Sequence, residues 1–139
     1  MTARLEHANL AVRDVDAAIR FVQTAIPDFL IRHDETDGDD RWVHLGTEDS
    51  YLAINKAHEE PDHRWQPYSG LPGVNHLGFA VDDAEALRQR MLAAGYREST
   101  VPNSHPHRKR VYFYDEDGND WEFVEYLTDD PALQNDYEH

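Results

Sequence analysis

A short segment of this chain occurs twice, and each copy places a histidine at the same point. His7-Ala8-Asn9-Leu10-Ala11-Val12-Arg13-Asp14 is matched further on by His76-Leu77-Gly78-Phe79-Ala80-Val81-Asp82-Asp83. Ala11 meets Ala80, Val12 meets Val81 and Asp14 meets Asp83. Internal self-similarity constrains architecture before any local assignment is made, because a duplicated unit must be built from the same elements twice. Here it calls for two half-domains of like construction, each opened by a histidine. A duplicated histidine suggests one site shared by the two halves.

The elements that follow each copy agree. Asp14 is a good N-cap, and Val15, Ile19, Val22 and Ile26 fall on one helical face before Pro27 stops the run. In the second half Asp83 caps, Ala84, Leu87 and Met91 form the stripe, and Gly95 closes the helix. After the first helix come strand-like runs at 29–33, 41–45 and 51–55, separated by an acidic turn at 34–40 and a turn at 46–50. After the second come 96–100, 109–114 and 120–126, with Asp117-Gly118-Asn119 as a turn. The reading is a single α+β domain over 1–139. It holds a first βαβββ module at 4–55, a linker at 56–73 broken by Pro61, Pro67, Gly70, Pro72 and Gly73, and a second βαβββ module at 74–127. The tail from Thr128 is polar and acidic and is expected to fray or to pack loosely.

Charge narrows the partners. A formal net charge of −15 opposes nucleic acid, whose phosphates need a basic footprint, and equally opposes an anionic membrane surface. Lys56 and Lys109 are the only lysines. With no cysteine, neither a disulfide framework nor a thiolate metal site is possible. No apolar run approaches the ~20 residues of a transmembrane helix, and the N-terminus lacks the apolar core of a signal peptide. The expectation is a cytoplasmic protein whose partner is a small molecule.

Residue parity along the strands locates the chemistry. Alternate strand residues face opposite sides. Leu10 and Val12, and Leu77, Phe79 and Val81, share the side that packs under the helices. The other side carries His7, Asn9 and Ala11, and His76, Gly78 and Ala80: a histidine followed by small residues, which leaves room against the sheet. On the last strand Trp121 and Phe123 take the apolar side, so Glu122 points with Asp120 and Val124 to the side of the histidines. A carboxylate flanked by Trp and Phe is costly unless it is paired or binds a cation. One strand histidine alone reads first as a structural residue; two at repeated positions with Glu122 make a ligand set for Fe2+, Mn2+ or Zn2+ that leaves positions open for water or substrate.

The chain resembles the vicinal oxygen chelate superfamily, the group of glyoxalase I, extradiol dioxygenases, fosfomycin-resistance and bleomycin-resistance proteins. The resemblance rests on both histidine segments and on Arg110-Val111-Tyr112-Phe113-Tyr114-Asp115-Glu116-Asp117-Gly118-Asn119 followed by Glu122, and it covers residues 5–126. It implies two βαβββ modules forming a cup-shaped mixed sheet around a divalent metal. His7, His76 and Glu122 match the family's ligand positions, and Tyr112 matches a pocket tyrosine, here the candidate catalytic residue. Glyoxalase I-like members carry a fourth ligand, a glutamate, where this chain has Tyr51 or Ala53; Asp49 has the right parity but sits in a turn. Three ligands resemble the dioxygenases and fosfomycin-type transferases, although no cation-binding loop of the transferases is evident. The outer histidine of the ring-cleaving dioxygenases has five candidates: His44, His58, His63, His105 and His107. The basic run from His105 to Arg110 enters the strand of Tyr112 and suits an anionic substrate group. The implied activity is a metal-dependent, dioxygenase- or lyase-like enzyme acting on a small oxygenated substrate that chelates the metal. The alternatives are a bleomycin-resistance-like binding protein without catalysis and a scaffold whose trio serves only folding. A βαβββ module leaves sheet edges open and the family pairs modules within or between chains, so a homodimer is also expected, with the trio built either within one chain or between two.

Overall fold

The two long helices are placed by local causes visible in the sequence. In the computed structural model, which describes residues 2–60 and 67–139, the chain forms two compact units, residues 1–64 and 65–139. In the first, β1 (His7–Val12) leads into α1 (Val15–Ala25) and then β2 (Leu30–Asp37), β3 (Asp40–Gly46) and β4 (Tyr51–Lys56). Asp14 starts α1 by accepting from the amide of Ala17 at 3.0 Å. The helix buries Val15, Ile19, Phe21 and Val22, and the sheet supplies Val43, Leu45, Leu52 and Ile54 to the same core. Burying one such side chain is worth about 1.5–3 kcal/mol, so this stripe holds the helix on the sheet. Strand order is β1-β4-β3-β2, with β1 parallel to β4 and the other pairs antiparallel.

The second unit repeats the plan. β5 (His76–Ala80) leads into α2 (Ala84–Ala93), then β6 (Arg97–Glu98), β7 (Arg108–Tyr114) and β8 (Asp120–Tyr126), in the order β5-β8-β7-β6. Asp83 caps α2 through Ala86 at 2.9 Å, and Gly95 ends it at φ 89, the left-handed conformation that glycine adopts without cost. Leu87 and Met91 from the helix meet Val111, Phe113, Trp121 and Phe123 from the sheet as the buried set. Each unit therefore shows the βαβββ order of the sequence repeat. No helix among the described residues is long and apolar enough to cross a membrane.

Three boundaries differ from the sequence expectation. The strand expected at 29–33 runs on to Asp37, and the acidic turn at 34–40 shrinks to Gly38 and Asp39, with Gly38 at φ 61. Arg41 explains it: across the hairpin its guanidinium donates to both carboxylate oxygens of Asp34, at 3.0 and 2.8 Å. The strand expected at 96–100 narrows to Arg97–Glu98. Ser99 still donates to the carbonyl of Tyr112 at 3.0 Å, but Pro102 has no amide to continue the ladder, and a single bridge returns at His105 and Arg108. The tail does not fray: a further turn of helix, α3 (Pro131–Gln134), forms, and Arg108 donates to the carbonyl of Gln134 at 3.1 Å. Of the linker at 56–73, residues 61–66 lie outside the described residues; Tyr68 and Gly70 beyond them form turns at φ 64 and φ 84.

Candidate metal centre

Parallel pairing of β5 with β8, and antiparallel pairing of β8 with β7, brings His76, Glu122 and Tyr112 onto one face of the second sheet. Nε2 of His76 lies 3.0 Å from Oε2 of Glu122. The hydroxyl of Tyr112 donates to the other carboxylate oxygen, Oε1, at 2.8 Å. Nδ1 of His76 lies 2.8 Å from Oδ1 of Asn75, an oxygen that only accepts, so the proton of the neutral ring sits on Nδ1. Nε2 then presents a lone pair to a carboxylate oxygen 3.0 Å away. Two lone pairs at that distance repel unless a proton or a cation lies between them. Orientation of the non-ligating ring nitrogen by a neighbouring oxygen is how a metal-binding histidine is held, and the tyrosine does the same for the carboxylate. These groups fit a divalent metal. Burial, followed by the bond to Glu122, pushes the Tyr112 hydroxyl up to about 12, so it is a donor throughout the neutral range.

His7, in the first unit, is held in the same way. Its Nδ1 lies 3.0 Å from Oε1 of Glu6, the residue just before it, as Asn75 precedes His76. That bond, the largest cause, holds the Glu6 carboxyl below its usual range. In both repeat histidines Nδ1 is thus the tethered nitrogen, and Nε2 of His76 faces Oε2 of Glu122. His7 also stacks on Tyr51 at 4.7 Å and 15°, the first contact in a ladder of rings that continues through His44 and Trp42 to His33. Burial, aided by the Arg32 charge, lowers the His44 pKa and keeps that ring neutral.

The repeat also tests for a fourth carboxylate. In the second sheet His76 pairs with Asp120 and Gly78 with Glu122; in the first, His7 pairs with Tyr51 and Asn9 with Ala53. Ala53 therefore occupies the place in the first unit that Glu122 holds in the second. Asp49 is turned to an exposed ion pair with Arg4 at 3.6 Å.

Sequence parity puts a second carboxylate, Asp120, on the histidine side but gives it no role. Asp120, 2% exposed, accepts from Ser99 Oγ at 2.5 Å, from the Trp121 amide at 3.0 Å and from the hydroxyl of Tyr68 at 2.7 Å. The run from Asp115 to Asn119 is a self-contained turn in which Asp115 accepts from the Asn119 amide at 2.9 Å and from the Trp121 indole at 3.0 Å. Glu125, three residues along β8 from Glu122 and so of opposite parity, accepts from the Ala84 amide at 3.3 Å, where a carboxylate favours the start of α2.

The remaining candidates serve elsewhere. His58 pairs with Asp40 on the surface, and His63 lies outside the described residues. His105, Asp136 and His139 bring potential ligand atoms within 4.8 Å of one another. Nδ1 of His105, however, accepts from the His107 amide at 3.0 Å, which leaves the proton on Nε2, 3.2 Å from the Asp136 carbonyl. That ring fastens the C-terminal segment and has no lone pair to spare. In the basic run, Arg108 serves the same segment, while Arg110 donates to Asn103 at 3.4 Å. A cavity of about 370 Å³ lies between α2 and the 100–105 segment, where Glu98 holds Arg88 by two bonds of 2.7 and 3.0 Å.

Comparison with known proteins agrees with the fold. Solved structures of the same fold include a fosfomycin-resistance protein, FosX, from Mesorhizobium loti, with 23% identity, 92% of this chain and 94% of that one covered, and TM-score 0.64. A glyoxalase family protein from Bacillus cereus shows 17% identity, coverages of 92% and 97%, and TM-score 0.75. FosX from Listeria monocytogenes, with Mn(II) and sulfate bound, shows 17% identity, coverages of 96% and 98%, and TM-score 0.69. No curated protein matches the sequence. The model of one family matches residues 4–123, which hold both histidines, Tyr112 and Glu122, and the chain belongs to the Glyoxalase/Bleomycin resistance protein/Dioxygenase superfamily.

Proposed function

We propose that this protein is a metal-dependent enzyme of the superfamily, in which His7, His76 and Glu122 hold one divalent ion and a small oxygenated substrate chelates it through adjacent oxygens. The observation that carries the reading is the paired orientation of the histidines: Glu6 and Asn75 each hold Nδ1, so Nε2 is the nitrogen of either ring that would bind the ion, and that of His76 faces Glu122. A divalent ion there acts as a Lewis acid that stabilises negative charge developing on the substrate oxygens. Tyr112 holds Glu122 by Oε1 and keeps Oε2 turned to the site. Three protein ligands leave positions for two substrate oxygens, and Ala53 in place of a fourth carboxylate separates this chain from glyoxalase I chemistry. Among Fe2+, Mn2+ and Zn2+, Mn2+ has the support of the Listeria FosX structures, one of them with a dihydroxypropylphosphonic acid bound. The trio takes one ligand from each module's first strand, so the modules that build a site must meet, and a homodimer is proposed as the working form.

Metal analysis of protein purified without chelator tests the reading. About one equivalent per chain is expected, lost in His76→Ala with the β content of the circular dichroism spectrum retained. Full metal content in His76→Ala would refute the assignment. A wild-type chain that takes up no Mn2+, Fe2+ or Zn2+ yet binds small molecules would support the bleomycin-resistance-like alternative.

A further inference from the structure

We infer that Tyr68, carried by the connector between the modules, is a positioning residue of the His76–Glu122 site, holding the connector and the His76 ring in place through the buried carboxylate of Asp120. The inference rests on the metal-site reading above. Three observations converge on it. Tyr68 is the one described residue other than glycine at positive φ, 64°, a backbone conformation that L side chains rarely adopt and that persists where the surroundings enforce it. What enforces it is a bond of 2.7 Å from its hydroxyl to Oδ2 of Asp120, whose Oδ1 is already taken by Ser99 and the Trp121 amide. Tyr68 thus completes the satisfaction of a carboxylate that is 2% exposed, and a charge-assisted bond to a buried acceptor is the strong kind. Finally, the ring lies against His76, centroids 6.4 Å apart and planes 30° from parallel, within the range of aromatic contact.

Asp120 is the register partner of His76, while Glu122 stands one parity step further along β8. The network Ser99–Asp120–Tyr68 therefore ties the start of β5 through the register partner of His76. His76 is held by Asn75 at Nδ1 and by Glu122 at Nε2, and the Tyr68 ring lies against its face. Tyr112 closes the remaining side as an edge contact at 5.9 Å. Loss of the Tyr68 hydroxyl leaves Oδ2 of Asp120 without its donor and releases the strained backbone, and the ring that holds His76 goes with it. Residues that orient a metal ligand without touching the metal typically contribute ten- to a hundredfold to affinity. A contact through a ring face belongs at the lower end.

The test is a Mn(II) titration of the full chain, read by electron paramagnetic resonance of free Mn(II), in wild type, Tyr68→Phe and His76→Ala. It is joined by the nitrogen resonances of the histidine rings in metal-free protein. Tyr68→Phe adds no atom, and Tyr68 is 55% exposed, so the fold accommodates it. Mn(II) binding weakened about tenfold is expected, with the His76 ring nitrogens shifted and those of His105 and His107 unmoved. A merely structural tyrosine would not single out His76. Asp120→Asn, which keeps the shape and removes the charge, is expected to reproduce the effect. Wild-type affinity and an unmoved His76 signal in either variant overturn the inference while leaving the metal site standing. Wild-type affinity in His76→Ala overturns the metal-site reading itself.

Discussion

Removing the hydroxyl of Tyr112 separates what that residue does for the fold from what it does for the site. Tyr112 is 7% exposed, and its donor hydrogen reaches a carboxylate oxygen of Glu122 at 2.8 Å. A hydrogen bond to a charged acceptor is worth about 1.5–3 kcal/mol net, and deletion of one partner leaves the other with its desolvation uncompensated. Glu122 keeps some access to water, its side chain being 16% exposed, so the lower half of that range applies, about 1.5–2 kcal/mol for Tyr112→Phe in metal-free protein. The phenyl ring fills the same space, so no cavity adds to the loss. Urea unfolding of the metal-free chain followed by circular dichroism reads the difference at constant slope. The same variant should bind Mn(II) at least tenfold more weakly, because the carboxylate is then free to turn its second oxygen away. A stability change under about 0.5 kcal/mol would refute the reasoning, since that is the level of surface substitutions away from any such feature. So would wild-type Mn(II) affinity.

Other expectations follow from single contacts. Asp14→Ala removes the cap of α1 and should cost about 1 kcal/mol, measured by urea unfolding; no loss would mean that the Ala17 amide finds another acceptor. A Cβ built on Gly78 comes within 3.7 Å of Glu122 Oε2, so Gly78→Ala should be tolerated while Gly78→Val should abolish Mn(II) binding by occupying the ligand's space; equal binding by the two variants would place the ion elsewhere. The Arg41 guanidinium, the largest cause, holds the Asp34 carboxyl below its ordinary value. A depressed carboxyl stabilises the fold above the unfolded value of about 3.9 and loses that contribution as pH falls through the folded one. In Arg41→Ala the Asp34 carboxyl resonance should titrate at the ordinary carboxylate value, and an unchanged midpoint would remove Arg41 as the cause.

The architecture was legible because the repeat and the parity rule act on the same residues. His7 and His76 sit at matched starts of β1 and β5, and the apolar stripes behind Asp14 and Asp83 became α1 and α2 at the expected residues. Tyr112 was legible only through the resemblance; the antiparallel register of β7 and β8 pairs it with Glu122 and so puts it on the same face. What hydropathy could not show was the run of β2 from His33 to Asp37, whose residues are all exposed and which rests on the Asp34–Arg41 pair rather than on an apolar face. Tyr68 was equally hidden. It lies among prolines and glycines that read as a linker, and its partner Asp120 is distant in sequence. The C-terminal segment looked loose because its anchors, Arg108 and His105, lie in a basic run that suggested a ligand instead.

The central claim is that both repeat histidines and Glu122 bind one ion, and X-ray absorption spectroscopy of the Mn(II)-loaded full chain measures it most directly. The account predicts a first shell of nitrogen and oxygen neighbours with the outer scattering of two imidazoles. One imidazole should be lost in His7→Ala and one in His76→Ala. A spectrum without imidazole scattering, or one unchanged by either substitution, would contradict it.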